Sequence, residues 1–189
     1  MKKHLTLLTA FLASGLLSAP AFAATHYISA LGGISWMNNI DRAYGPKMTT
    51  DSGGTVVGAV GCDYGSYRFE AEAGYQTNNV DSSVSILSLM ANGYYDMKVD
   101  GVTPYLMAGV GVAQAHFDNV YSYYDASRIS DNETALAFQA GAGVAIPIAK
   151  QVMLDARYRY FSTSDFSSYL TGNTHISSNS ALLGLRVNF

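Results

Sequence analysis

Ser180-Ala-Leu-Leu-Gly-Leu-Arg-Val-Asn-Phe189 closes the chain, and its period of two decides the fold. Ala181, Leu183, Leu185, Val187 and Phe189 share one face of an extended strand, while Leu182, Gly184, Arg186 and Asn188 share the other. The first row suits lipid and the second a packed polar interior, the pattern of a strand in a transmembrane barrel.

The opposite end sets the compartment. Lys2 and Lys3 form a basic start, residues 5–17 an apolar centre, and Ala21-Phe22-Ala23 a small-x-small site, so residues 1–23 read as a secretory signal peptide cleaved between Ala23 and Ala24. The apolar centre is too short for a comfortable membrane span. No cysteine stands at the cleavage point, which argues against a lipid anchor, and Cys62, the chain's one cysteine, can form no intrachain disulfide.

Losing Lys2 and Lys3 and no acid moves the formal charge from −3 to −5, so nucleic acid is not an expected partner. Residues 24–189 are enough for one domain. Charged residues are sparse at 13%, yet nothing in 24–189 approaches the ~20 consecutive apolar residues of a membrane helix. A closed barrel, with every backbone group paired internally, is the remaining way to span a bilayer.

Eight segments carry period-two patterning: 26–37, 54–64, 67–78, 84–98, 103–117, 134–146, 151–162 and 178–189. Each is long enough for the ~9 to 11 tilted residues that cross a bilayer. In the third, Tyr67, Phe69, Ala71, Ala73 and Tyr75 oppose Arg68, Glu70, Glu72 and Gln76. One such strand also fits a soluble sandwich. The connections discriminate better. Tight turns at 65–66, 99–102 and 147–150 alternate with longer polar loops at 38–53, 79–83, 118–133 and 163–177. If the first strand leaves the periplasm, all tight turns fall on the periplasmic side and all longer loops outside, as in outer-membrane barrels. The expected fold is all-β: an eight-stranded antiparallel up-and-down transmembrane β-barrel over residues 24–189.

Parity assigns Phe138, Ala140, Ala142, Val144 and Ile146 to lipid, with Val152, Leu154, Ala156, Tyr158 and Tyr160. Asp155, Arg157 and Arg159 then point inward, because an arginine toward lipid at mid-bilayer costs about 2–4 kcal/mol. Four acids, Glu70, Glu72, Asp96 and Asp155, stand against four bases, Arg68, Arg157, Arg159 and Arg186. They read as a neutral lumen network, extended by Asn92, Tyr94, Gln114 and Gln139, in a plugged lumen rather than an open pore. Arg186 is expected to pair with Glu70, Glu72 or Asp155. Glycines at 58, 61, 74, 93, 109, 111, 141, 143 and 184 suit a narrow barrel. Gly109-Val-Gly111 and Gly141-Ala-Gly143 open into no helix, which excludes a nucleotide loop.

Aromatic residues gather near the strand ends: Tyr64, Tyr67, Tyr95, Tyr105 and Phe189 toward the periplasm, and Trp36, Tyr75, Phe117 and Tyr160 toward the outside. They read as two interfacial girdles. Cys62, in phase with Tyr64, reads as a small outward apolar residue.

Leu89-Met-Ala-Asn-Gly-Tyr-Tyr-Asp96, Pro104-Tyr-Leu-Met-Ala-Gly-Val-Gly111, Phe138-Gln-Ala-Gly-Ala-Gly-Val144 and Leu154-Asp-Ala-Arg-Tyr-Arg-Tyr-Phe161 resemble the opacity-protein-like, OmpA-transmembrane-like eight-stranded outer-membrane β-barrels of Gram-negative bacteria. Arg68-Phe-Glu-Ala-Glu-Ala-Gly-Tyr75 and Arg186-Val-Asn-Phe189 match the same family's habits. The resemblance implies outer-membrane lipids as surroundings and makes Phe189 an assembly signal for the barrel-assembly machinery. It implies a surface antigen, an adhesin or a membrane-stabilising protein. With no peptidoglycan-binding domain after Phe189, cell-wall tethering is not expected.

The leading expectation is a structural or surface-interaction role through the outer loops, with 118–133, rich in acids and tyrosines, as the segment suited to a host or surface ligand. A small pore or solute channel is the alternative. A lipid A-modifying enzyme is the third reading: His175-Ile-Ser177 resembles the His-x-Ser of the lipid A deacylases, but no Asp or Glu follows Ser177 to orient the histidine. No catalytic residue, metal or cofactor is expected, since His4, His26, His116 and His175 are too scattered for a metal site.

Overall fold

The computed structural model describes residues 24–37, 52–79, 83–121, 128–164, 166–168, 172–174 and 176–189. Eight strands close into one barrel: β1 (Thr25–Met37), β2 (Ser52–Asp63), β3 (Tyr67–Asn79), β4 (Ser83–Asp96), β5 (Thr103–Tyr121), β6 (Arg128–Pro147), β7 (Val152–Thr163) and, after a two-stranded ribbon of β8 (Phe166–Ser168) and β9 (Gly172–Thr174), β10 (Ser177–Asn188). Each barrel strand pairs antiparallel with its sequence neighbours. β10 returns to β1 over a continuous register from Tyr27↔Asn188 to Met37↔Ser178. Phe189 extends that seam by donating its backbone N–H to the His26 carbonyl at 2.8 Å. Closure leaves no sheet edge facing lipid, which is the condition for strands to cross a membrane.

Period-two burial confirms the parity. Phe69, Tyr75, Leu89, Leu106, Val110, Phe138, Leu183 and Leu185 are exposed on the outer wall, while Arg68, Glu70, Glu72, Asn92, Gln139, Arg157 and Arg159 are buried inside. On β3 the outward row runs from Tyr67 to Tyr75. That is roughly 26 Å along a strand, or about 20 Å across the membrane at a tilt near 40°. Tyr64, Tyr67, Tyr95 and Phe189 are exposed at one end, and Trp36, Tyr75 and Tyr160 at the other. Outward hydroxyls find partners there: Tyr75 donates to Ser85 Oγ at 3.2 Å and Tyr158 to Asn179 Oδ1 at 2.7 Å.

The tight turns follow from local chemistry. Asp63 Oδ1 accepts the Gly65 N–H at 2.7 Å, and Gly65 takes a φ of 96° that a side chain would resist. Val102 N–H bonds the Val99 carbonyl at 3.0 Å across a turn whose Gly101 has φ 81°.

Several expectations need correction. The segment expected as a loop at 118–133 is largely ladder: β5 and β6 stay paired to Tyr121↔Arg128, past a register shift between Phe117 and Val120. Polar composition there reflects a hairpin that continues beyond the membrane. Likewise the expected loop at 163–177 contains the β8–β9 ribbon. Gln114 is exposed on the outer face, not inside. It lies opposite Thr134 near the loop-side rim, where a polar side chain can reach the interface rather than hydrocarbon. Tyr105 belongs to no girdle, being 1% exposed and inside the barrel. Gly143 on β6 sits opposite it, and a Cβ at that position would run into the Tyr105 ring. Gly58 and Gly93, in turn, lie on the outer rows, where they make no room for inner side chains. The Phe117 side chain and residues 38–51, 80–82, 122–127 and His175 lie outside the described residues.

Candidate functional site

Among the described residues, the interior concentrates charge. Period two sends Arg68, Glu70 and Glu72 inward from β3, Asn92, Tyr94 and Asp96 from β4, Gln139 from β6, and Asp155, Arg157 and Arg159 from β7. Closure then brings these rows face to face. Near the periplasmic end, Arg68 grips Asp96 with two parallel bonds, Nε to Oδ2 at 2.7 Å and Nη2 to Oδ1 at 3.0 Å. Planar guanidinium and planar carboxylate match as a fork, the strong form of an ion pair. The same guanidinium is stacked among aromatic rings, 4.2 Å from the centroid of Tyr94 and 5.0 Å from that of Tyr105.

Deeper in, Glu72 is the hub. Arg157 Nη1 donates to its Oε2 at 2.8 Å, and Arg159 Nη1 to its Oε1 at 3.3 Å. Gln139 Nε2 and Asn92 Nδ2 complete its shell at 3.2 and 3.3 Å. Glu70 accepts the hydroxyls of Tyr94 at 2.6 Å and Tyr27 at 3.0 Å. Asp155 accepts the Tyr105 hydroxyl, whose oxygen in turn receives Arg157 Nε at 3.3 Å. A buried carboxylate without such donors would be costly, and here each has them. The network ties β1, β3, β4, β5, β6 and β7 together across the barrel.

Toward the loop side, the interior divides. Met37, Ile86, Met90, Ala113, Ala115, Ala137, Phe161 and Ile176 form a buried apolar cluster, in which Ala115 stands opposite Ile86. Beside it, Ser178 Oγ donates to Gln76 Oε1 at 3.3 Å and Gln76 Nε2 to Asn78 Oδ1 at 2.9 Å. Arg159 Nη2 reaches Thr55 Oγ1 at 3.3 Å and Ser180 Oγ at 3.5 Å. Packed side chains thus occupy the described interior on both sides of the Glu72 hub.

All eight charged residues expected in the lumen are buried there. Seven join the network, and Arg186 does not. Its expected partners Glu70, Glu72 and Asp155 are engaged elsewhere. Its guanidinium packs on Tyr27, 5.3 Å from the ring centroid, and its Nη2 donates to Met153 Sδ. Tyr27 and Tyr105 are members that the sequence reading did not place inside. The signal for Tyr105 was parity, since it is in phase with Met107 and Gly109, but its aromatic character at a strand end suggested a girdle; Tyr27 was assigned to neither face. On the outer face Cys62 Sγ lies 3.3 Å from His26 Nδ1, so this thiol has a polar neighbour rather than a purely apolar setting. Among the described residues no group of three metal-binding side chains forms.

Comparison with known proteins agrees with this architecture. The family model described as outer membrane protein beta-barrel domain matches residues 9–189. The outer membrane protein PagN of Salmonella typhimurium is 30% identical over 104 residues, which span 51% of this chain and 44% of PagN. The chain therefore matches less than half the length of that relative. Among solved structures, Neisserial surface protein A superposes with a TM-score of 0.67 at 22% identity, covering 87% of this chain and 97% of the other. The N-terminal β-barrel domain of Pseudomonas aeruginosa OprF superposes with a TM-score of 0.52 at 17% identity, covering 87% and 97%. These two likenesses are of fold. With a family match across nearly the whole sequence and a closed eight-stranded barrel whose outer wall is apolar, the chain belongs to the outer membrane protein β-barrel family and resides in the bacterial outer membrane.

Proposed function

We propose that this protein is a structural and surface-interaction barrel, whose interior is a plug and whose contacts with other molecules are made by its extracellular segments. The observation that carries the reading is the filled interior: four acids and four arginines of balanced charge, with a packed apolar cluster toward the loops. Among the described residues such an interior presents no single-sign ring to draw ions. This disfavours the channel alternative. The lipid A enzyme reading has no further support, since Ser177 is a buried side chain at the start of β10. Catalytic, metal and cofactor roles are assigned to no residue.

Interaction is assigned to the β5–β6 hairpin. These strands have 19 and 20 residues, against 12 to 14 in the other barrel strands, so they project past the rim. β6 pairs with β7 only from Ala137 onward. The sequence between these strands, 122–127, carries Tyr123, Tyr124 and Asp125, groups suited to a polar and aromatic contact with a host or surface ligand. We further assign residues 1–23 to a signal peptide cleaved before Ala24, residues 24–189 to the barrel, and Phe189 to recognition by the assembly machinery. Phe189 supports this by lying exposed at the seam where β10 meets β1.

The test is deletion of 122–127 in cells that display the barrel at unchanged density, followed by adhesion to host-cell and matrix-coated surfaces. Lower adhesion supports the assignment; adhesion equal to that of the intact protein removes it.

A further inference from the structure

Among the described residues, three of the four buried guanidiniums meet carboxylates: Arg68 has Asp96 at 2.7 Å, and Arg157 and Arg159 have Glu72 at 2.8 and 3.3 Å. Arg186 is buried to 2% exposure, yet among the described residues it makes no ion pair. Its Nε and Nη1 have no protein partner. Desolvating such a charge without compensation is strongly unfavourable.

Other orphaned atoms gather around it. Ser29 stands directly opposite Arg186 in the β1–β10 register, and Asn188 lies two residues further along the same inner row. Ser29 Oγ and Asn188 Oδ1 are likewise buried without a protein partner. Neighbouring inward residues directly opposite on paired strands have Cβ atoms about 5 Å apart, so these groups form one patch of the inner wall. It lies just inside the periplasmic rim, where Asn188 N–H bonds the Gln151 carbonyl at 2.8 Å.

The nearby acids are committed. Asp155 lies opposite Gly184 and accepts from Tyr105, while Glu70 accepts from Tyr27 and Tyr94. Orphaned atoms also occur at Arg157 Nη2, Arg159 Nε and Gln139 Oε1, but those residues already contact Glu72 or Glu70. Among the described residues, only at Arg186 do unpartnered cationic N–H groups coincide with the lack of a carboxylate.

We propose that Arg186 Nε and Nη1, together with the Ser29 hydroxyl, form a binding site for a small inorganic monoanion of chloride size, reached from the periplasmic mouth. A single positive charge matches a monoanion, and the groups placed against the Arg186 guanidinium, the Tyr27 ring and the Met153 thioether, carry no charge. Turning the Asn188 amide over would add a third kind of donor, because its O and N are interchangeable in shape.

The probe is bromide, used in place of chloride with the full folded barrel. Anomalous diffraction from wild-type crystals grown in bromide is expected to show a peak within hydrogen-bond distance of Arg186 Nε or Nη1. S29A should reduce that peak with the barrel intact, and R186Q should abolish it. In solution, replacing gluconate by chloride at constant ionic strength should raise the wild-type folded-to-unfolded ratio about tenfold at roughly ten times the dissociation constant, and leave R186Q unchanged. A water-like feature with no anomalous signal at saturating bromide would overturn the proposal, as would an equal chloride response in R186Q. The wild-type diffraction result stands even if R186Q fails to fold.

Discussion

Arg68 and Asp96 form a two-pronged ion pair inside the barrel, with Nε–Oδ2 at 2.7 Å and Nη2–Oδ1 at 3.0 Å, and both side chains fully shielded from solvent. The pair joins β3 to the end of β4, next to the periplasmic turn at 99–102. Removing one partner strands the other charge in a desolvated interior. Asp96→Asn should therefore lower the unfolding free energy by about 3–5 kcal/mol in a urea titration of the refolded barrel. The apolar double variant Arg68→Met with Asp96→Leu should lose less than Asp96→Asn alone, since no orphaned charge remains. Equal losses would show that the pair contributes as packing rather than as charge.

The outer wall makes a depth-dependent expectation. Leu89 lies mid-strand on the lipid face, opposite Ala73 and Val112, whereas Tyr67 lies at the periplasmic end of β3. Leu89→Arg should cost about 2–4 kcal/mol of barrel stability in bilayers and Tyr67→Arg about 0–1 kcal/mol, by the depth dependence of arginine on lipid-facing strands. Reversible urea unfolding in phospholipid vesicles measures both. A larger loss at Tyr67 than at Leu89 would misplace the membrane midplane.

How far these residues could be read from sequence depended on what anchored each strand's phase. On β3 and β7, arginines and acids alternate with aromatics, and an arginine cannot face lipid cheaply. Inside and outside were therefore legible at Arg68, Glu72, Arg157 and Arg159. β5 has no charge between Thr103 and Gln114 to set its phase. There chemistry misled: Gln114 was polar and so read as inner, and Tyr105 was aromatic and near an end and so read as girdle. Counting by twos from Met107 would have corrected both. The partners of Arg186 were illegible for a different reason. Its inner row could be read, but whether any acid meets it depends on closing registers that no local pattern specifies. The length of the β5–β6 hairpin was hidden because a ladder above the membrane no longer needs an apolar face. Its residues at 118–133 therefore look like a loop.

The filled lumen is the claim on which the functional reading rests, and single-channel recording tests it most directly. Folded wild-type protein, with insertion into planar bilayers verified independently, is expected to give a baseline current with no stable steps across a range of voltages. Reproducible ohmic steps from the same preparation would contradict the account, because an ion could then pass the Glu72 hub and the apolar cluster around Phe161.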